Sequence, residues 1–70
     1  MKLIGKRLKS CRTRCGYTQE ELGRLLAVTP QAISKWENGH ALPDVLTFAH
    51  IARVLGVSTD ELLLGVAAML

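Results

Sequence analysis

The sequence predicts an all-α fold of five short helices in one small domain. Apolar residues recur at spacings of three and four along most of the 70 residues. Ser, Thr or Asp precedes most of these segments and Gly follows several of them, as at helix starts and ends. No stretch alternates apolar and polar residues between turn residues. We expect one domain over residues 1–70, with its core within residues 4–64 and an apolar tail at 65–70.

The first helix is predicted at about residues 4–15, ended by Gly16. Four residues at helical spacing form its apolar stripe: Ile4, Leu8, Cys11 and Cys15. Thiols one turn apart on a helix have poor disulfide geometry. We therefore expect two buried, unbridged cysteines of the kind found in reducing compartments.

The second helix is predicted to start at Thr18. Glu21 follows three residues later and completes a capping-box pattern. The expected buried face is formed by Leu22, Leu25 and Leu26.

The third helix is predicted to begin at Thr29 as the N-cap, with Pro30 in the first helical position. It should end at Asn38 and Gly39, a pair typical of a left-handed helix stop. A turn of only a few residues separates it from the second helix, so these two helices must pack closely.

The fourth helix is predicted to start at Asp44 and to run to Leu55, before Gly56. Five residues form its expected inward stripe: Val45, Phe48, Ile51, Ala52 and Leu55. The fifth helix should start at Ser58, which forms a second capping-box pattern with Glu61. Its expected core residues are Leu62 and Leu63.

One face of the third helix is polar and the opposite face is apolar. Four polar residues lie within one arc of about 100°: Gln31, Ser34, Lys35 and Asn38. Ile33 and Trp36 point the other way. Gln can bond adenine at N6 and N7, and Lys can reach guanine O6 and N7. The pattern therefore predicts a helix that enters the DNA major groove.

The charge distribution supports a polyanionic partner. Residues 1–42 hold eight Lys or Arg and three acidic residues, a net charge of +5, whereas residues 43–70 have a net charge of −2. Besides the cysteines, only His40 and His50 are available as zinc ligands, and they lack zinc-site spacing, so no metal is expected. No cofactor is expected either. The sequence has no catalytic triad, paired acids or phosphate loop that would indicate an enzyme.

No membrane or export segment is predicted. Charges interrupt the apolar residues at the N-terminus, and the apolar run at 62–70 is too short to span a bilayer. We therefore expect a cytoplasmic protein of a bacterium or phage.

The segment VTPQAISKWENG at residues 28–39 resembles the helix-turn-helix of phage-repressor and Cro-like (Xre-type) DNA-binding domains. The resemblance extends from IGKRLKSCR at Ile4, through LPD at Leu42, to LGVSTDELL ending at Leu63. It implies a compact five-helix, lambda-repressor-like domain. The implied function is sequence-specific binding of double-stranded DNA by a transcriptional regulator, most simply a repressor.

The resemblance also implies DNA-binding roles for seven residues: Gln19, Thr29, Pro30, Gln31, Ser34, Lys35 and Asn38. Gln31, Ser34 and Lys35 match the base-facing positions. Gln19, at the start of the second helix, matches a residue that contacts the DNA backbone. Thr29 is either a cap alone or a cap that also contacts a phosphate, and Pro30 leaves only an apolar contact, such as one to a thymine methyl group.

After the third helix, a phosphate is expected to meet the Asn38 amide and the backbone N–H groups of Gly39 and His40. Supporting roles fall to Arg12 and Glu37, which the family pairs, and to Ile33 and Trp36 as anchors. Two residues depart from the family pattern: Gly23 stands where Ala is usual, and Ala27 where Gly is usual.

Several apolar residues exceed what so small a core requires: Leu46, Val54, Leu64, Val66, Met69 and Leu70. They suggest a homodimer formed by the fifth helix and the tail on a pseudo-palindromic operator, although the tail could instead fold back on its own domain. The alternative function is an antitoxin, or another protein-interaction module on this fold, with the tail holding a toxin or other protein partner.

Overall fold

The computed structural model describes residues 2–64, and these residues form five α-helices. They are α1 (Lys2–Arg14), α2 (Gln19–Leu26), α3 (Pro30–Glu37), α4 (Val45–Leu55) and α5 (Thr59–Leu64). No strand occurs among these residues. The predicted all-α fold is confirmed. The apolar tail expected at 65–70 lies outside the described residues.

Side-chain caps begin four of the helices, as predicted, at Thr18, Thr29, Asp44 and Ser58. At α2 the box is complete: the Glu21 N–H donates to Thr18 Oγ1 at 3.0 Å, and the Thr18 N–H donates to Glu21 Oε1 at 2.9 Å. At α5 only the Ser58 half is formed, by the Glu61 N–H at 3.0 Å. The Glu61 carboxylate instead pairs with Arg14 of α1 at 3.4 Å, so a tertiary contact replaces the second half of the box.

The core is one cluster of nine buried apolar side chains drawn from all five helices: Leu8, Cys11, Leu22, Leu26, Ile33, Ile51, Ala52, Leu55 and Leu62. Four of these are fully buried, one each from α2, α3, α4 and α5. Helix α3 packs against both α1 and α2, so its position is determined from two sides.

The structure corrects the predicted burial of several side chains. Leu25 is 54% exposed because α2 packs through Leu22, Gly23 and Leu26, which leaves Leu25 at the edge of the contact face. Val45 is 84% exposed because, as the first residue of α4, it lies beyond the core.

Three further residues differ from the expected pattern at the ends of helices. Cys15 is exposed because it follows the last residue of α1, and its Sγ lies 3.4 Å from the carbonyl oxygen of Leu55. Leu63 is exposed near the end of α5. Val54, expected to be surplus to the core, instead packs against it. Cys11 is buried as predicted, and burial raises the pKa of its thiol.

The same backbone motif ends the first four helices. In each, a residue with positive φ is followed by one whose N–H donates to a carbonyl five residues earlier. Glycine takes the positive-φ position after α1, α3 and α4, but Ala27, at φ 58°, takes it after α2. An alanine pays a steric cost in this conformation that glycine does not.

We expect Ala27→Gly to stabilise the domain by about 1 kcal/mol, because it removes that cost. For a domain of this size the change corresponds to a rise of about 4–8 °C in the melting temperature, measured by circular dichroism. Gly56→Ala is the matched control: Gly56 has φ 70° and open space where a Cβ would stand, so strain alone should lower its melting temperature. A lower melting temperature for Ala27→Gly would contradict the argument.

The helix caps also predict how stability responds to acid. Hydrogen bonds from Thr47, chiefly from its backbone N–H, hold the pKa of Asp44 below its usual value. Hydrogen bonds from Thr18 lower the pKa of Glu21 in the same way. A lowered folded-state pKa adds stability that is present above the unfolded pKa and is lost as the pH falls through the folded value.

We expect Asp44→Asn to leave stability at pH 7 nearly unchanged, because Asn caps helices about as well as Asp. Below about pH 4 the variant should lose less stability than the parent chain, because it has no carboxylate to protonate there. Urea unfolding from pH 7 to pH 2.5 measures both effects. Asp44→Ala, which removes the cap acceptor, should be less stable at pH 7. If the free energy of unfolding fell equally steeply in acid for Asp44→Asn and the parent chain, the Asp44 carboxylate would not be a source of the acid sensitivity.

Candidate nucleic-acid interface

Helix α3 is held from behind by buried side chains. Ile33 is fully buried, and Trp36 is half-buried against the core. Glu37, the last residue of the helix, is also buried. The opposite face of α3 therefore has a fixed orientation relative to the rest of the domain.

The exposed face of α3 carries the predicted polar residues. Gln31, Lys35 and Asn38 are exposed, and Ser34 is half-buried. The Asn38 side-chain amide donates to Ser34 Oγ at 3.3 Å. Within residues 2–64, the side chains of Gln31 and Lys35 form no hydrogen bond or ion pair with the protein, so their donors and acceptors remain available to a ligand.

The residues at the start of α3 cap the helix. Thr29 Oγ1 accepts a hydrogen bond from the Ala32 N–H at 3.1 Å, so Thr29 acts as a cap. The residue remains exposed, and its hydroxyl proton can still be donated. Pro30 is half-buried in the first helical position and presents only its ring.

A buried ion pair joins α1 to the end of α3. Arg12 Nε lies 2.6 Å from Glu37 Oε2, and Arg12 NH2 donates to Glu37 Oε1 at 3.1 Å. The two side chains are only 9% and 2% exposed. Arg12 NH1 also donates to the carbonyl oxygen of Tyr17 at 2.8 Å, which ties the loop before α2 to the same pair. The bidentate geometry fixes orientation as well as distance.

Gln19 joins this network rather than standing apart from it. Its Nε2 donates to Glu37 Oε1 at 2.9 Å. Glu37 thus accepts from α1 and from the first residue of α2 at once. The second N–H of the Gln19 amide remains available to donate to an anion.

The loop after α3 does not offer the backbone donors that the sequence suggested. The Gly39 N–H donates to the carbonyl oxygen of Trp36 at 3.2 Å, and the His40 N–H donates to that of Lys35 at 2.8 Å. These bonds complete the stop of α3. The expectation that both N–H groups bind a phosphate is wrong, because the helix end uses them.

Gly5 is a positioning residue that sequence reasoning missed. A Cβ on Gly5 would lie 2.5 Å from the carbonyl oxygens of both Trp36 and Glu37. Helix α1 therefore packs directly against the backbone of the last turn of α3. A glycine inside a predicted helix was the available signal, because Gly is unfavourable in helix interiors unless close packing requires it.

Gly23 makes a similar close contact at the turn. A Cβ there would lie 2.7 Å from the carbonyl oxygen of Val28.

Among the described residues, no group of three His, Cys, Asp or Glu side chains could hold a metal ion. None of the helices in residues 2–64 combines the length and the apolar composition that a bilayer-spanning segment needs.

The helix-turn-helix family profile matches residues 8–62, which include every helix of the domain in whole or in part. The chain belongs to the helix-turn-helix family. The predicted resemblance to the Xre-type group and the predicted lambda-repressor-like fold are both confirmed.

Among the relatives is the SPbeta prophage-derived HTH-type transcriptional regulator YonR of Bacillus subtilis (strain 168). It is 46% identical over 66 residues, which are 94% of this chain and 61% of YonR. The chain thus spans less than two thirds of the length of that relative.

Two solved structures show the same fold. The P22 c2 repressor protein in complex with synthetic operator 9T is 30% identical, with a TM-score of 0.87 over 94% of this chain and 100% of that chain. The biofilm regulator SinR in complex with DNA is 33% identical, with a TM-score of 0.78 over 86% of this chain and 97% of that chain. These relatives do not favour the alternative of an antitoxin or another protein-interaction module.

Proposed function

We propose that this chain is a sequence-specific, double-stranded-DNA-binding transcriptional regulator that acts as a repressor by occupying its operator. The observation that carries the proposal is the exposed face of α3. Gln31 and Lys35 are free of intramolecular partners within residues 2–64, while Ile33 and the Arg12–Glu37 pair hold the helix from behind. Two further observations support the proposal. The relative YonR is named a transcriptional regulator, and the similar P22 c2 repressor and SinR structures are complexes with DNA.

In this proposal α3 lies in the major groove. Gln31 bonds adenine at N6 and N7, and Lys35 bonds guanine at O6 and N7, each contact discriminating by about 1–3 kcal/mol. Ser34 adds a base or phosphate contact, and Pro30 packs against a thymine methyl group. Gln19, Thr29 and Asn38 contact phosphates, which set the register of the helix without reading sequence. A protein so placed blocks polymerase sterically and needs no enzymatic step or cofactor. Whether of bacterial or phage origin, it works in the bacterial cytoplasm.

Selection of bound duplexes from a random DNA pool tests the proposal. We expect a short enriched motif whose affinity exceeds that of a scrambled duplex by a factor of about 10³ or more at physiological salt. Binding should weaken steeply as salt is raised, because phosphate contacts release counterions. A pool that shows no enrichment after several rounds would contradict sequence-specific binding.

We further propose a homodimer formed by α5 and the tail, with the two α3 helices about 34 Å apart on a pseudo-palindrome. Exposed apolar side chains on α4 and α5 support it: Leu46 of α4 is 77% exposed and Leu64 of α5 is 64% exposed. A groove of about 390 Å³ between α1, α4 and α5 adds apolar surface, including Phe48 and Leu63. Sedimentation equilibrium should show dimers at high micromolar concentration, and a monomer there would contradict this arrangement.

A further inference from the structure

A polar depression lies beside the end of α3. It has a volume of about 260 Å³ and is lined by Lys6 and Lys9 of α1 and by Glu37 and Asn38 at the end of α3. Asn38 belongs to the exposed polar face of α3, so the depression adjoins that face. Neither Lys6 nor Lys9 belongs to the set of DNA contacts proposed above.

The close packing of α1 on α3 explains why two lysines stand at this place. Gly5 lets the backbone of α1 meet the last carbonyl oxygens of α3 without an intervening side chain. Lys6 follows Gly5 directly, and Lys9 follows Lys6 by about one helical turn. The contact therefore places both lysines beside the end of α3.

The charge of this depression is positive and uncompensated. The Glu37 carboxylate is buried and already receives Arg12 and Gln19. In the part of the chain that the structure describes, the ion pairs are Arg12–Glu37 and Arg14–Glu61, and neither involves Lys6 or Lys9. The neighbouring loop N–H groups are used by the helix stop. The lysines and the Asn38 amide are thus the donors available to an anion here.

We propose that Lys6 and Lys9, together with the Asn38 amide, bind a phosphate of the DNA backbone at the edge of the groove that α3 occupies. The inference rests on the proposed function and extends its interface to α1. A helix of eight residues is about 12 Å long, close to the width of the major groove, so its end lies at the groove wall. Lysine suits this role because its flexible point charge follows a phosphate without demanding one orientation.

The competing explanation is that both lysines only offset the negative end of the α3 dipole. The two explanations differ in the salt dependence of DNA binding. Log affinity falls as log salt rises, and each neutralised phosphate adds about 0.9 to the magnitude of that slope. A lysine that only stabilises the fold adds nothing to the slope.

The test uses Lys6→Gln, Lys9→Gln and the double variant, with Arg53→Gln on α4 as the matched loss of one positive charge. Affinities for the selected duplex and for a scrambled duplex are measured by fluorescence anisotropy from about 50 to 300 mM salt. Because the two lysines share one phosphate, we expect the magnitude of the slope to decrease by about 0.9 in the double variant and by less in each single variant. Both duplexes should weaken by a similar factor, and Arg53→Gln should keep the parent slope.

An unchanged slope in the double variant would overturn the inference, even if its melting temperature falls, since that result indicates a purely structural role. Sequence-specific binding by the parent chain would survive that result, so the proposed function would stand. A parent chain without duplex affinity at about 50 mM salt would instead overturn both the proposed function and this inference.

Discussion

Replacing both Gln31 and Lys35 with alanine is expected to weaken binding to the selected duplex by about 2–6 kcal/mol, or roughly 30-fold to 10⁴-fold. The physical reason is that each side chain offers a two-point contact to one base and is not engaged elsewhere in residues 2–64. Both residues are exposed, so the free energy of unfolding should change by less than about 0.5 kcal/mol. Fluorescence anisotropy and urea unfolding of the same preparations measure the two quantities.

The single variants distinguish the contribution of Gln31 from that of Lys35. Gln31→Ala should relax the preference at one base position and Lys35→Ala at another, each measured against duplexes mutated one base pair at a time. Arg53→Ala controls for the loss of one positive charge away from α3. If the double variant binds the selected duplex as tightly as the parent chain does, the assignment of α3 as the base-reading helix is wrong.

Glu37→Ala is expected to lower the free energy of unfolding by about 3–5 kcal/mol, a large share of the stability of so small a domain. The substitution leaves the Arg12 guanidinium buried without its carboxylate and removes the acceptor of the Gln19 amide. Because these partners belong to α1, α2 and α3, the loss acts on all three helices. Urea unfolding followed by helical circular dichroism measures the change.

Two controls test whether burial is the cause. Glu61→Gln breaks the exposed Arg14–Glu61 pair and should cost no more than about 1 kcal/mol. The double variant Arg12→Met/Glu37→Leu replaces the buried charges with apolar groups of similar size and should recover most of the loss. A cost for Glu37→Ala no greater than that for Glu61→Gln would contradict the argument.

Local sequence signals predicted the helices well. Thr18, Thr29 and Asp44 cap the helices they were expected to cap, because a cap depends only on residues within one turn. Glycine is usual at position 27 in the family, and the left-handed conformation of Ala27 explains why, because glycine adopts it without steric cost. Residue spacing alone also identified the exposed face of α3, since a helix of known phase assigns each residue to a side.

Contacts between helices were less predictable. Leu25, Val45 and Cys15 follow the apolar periodicity yet are exposed, because the crossing angle and the length of the neighbouring helices decide which edge of a stripe is covered. The N–H groups of Gly39 and His40 looked free in the sequence, but the helix stop uses both. The Arg12–Glu37 pair, separated by 25 positions, could be expected only through the family resemblance.

The sequence by itself determined the caps that begin α2 to α5, the turns that end the first four helices, which side of α3 is polar and how charge is divided along the chain. These properties depend on neighbours within a few residues or on composition. Only the tertiary structure decided that Gly5 brings α1 onto the last turn of α3, that Glu37 holds Arg12 and Gln19 together, and that Lys6 and Lys9 stand beside Asn38. Those contacts join distant residues, and packing geometry, which no local pattern encodes, sets which of them meet.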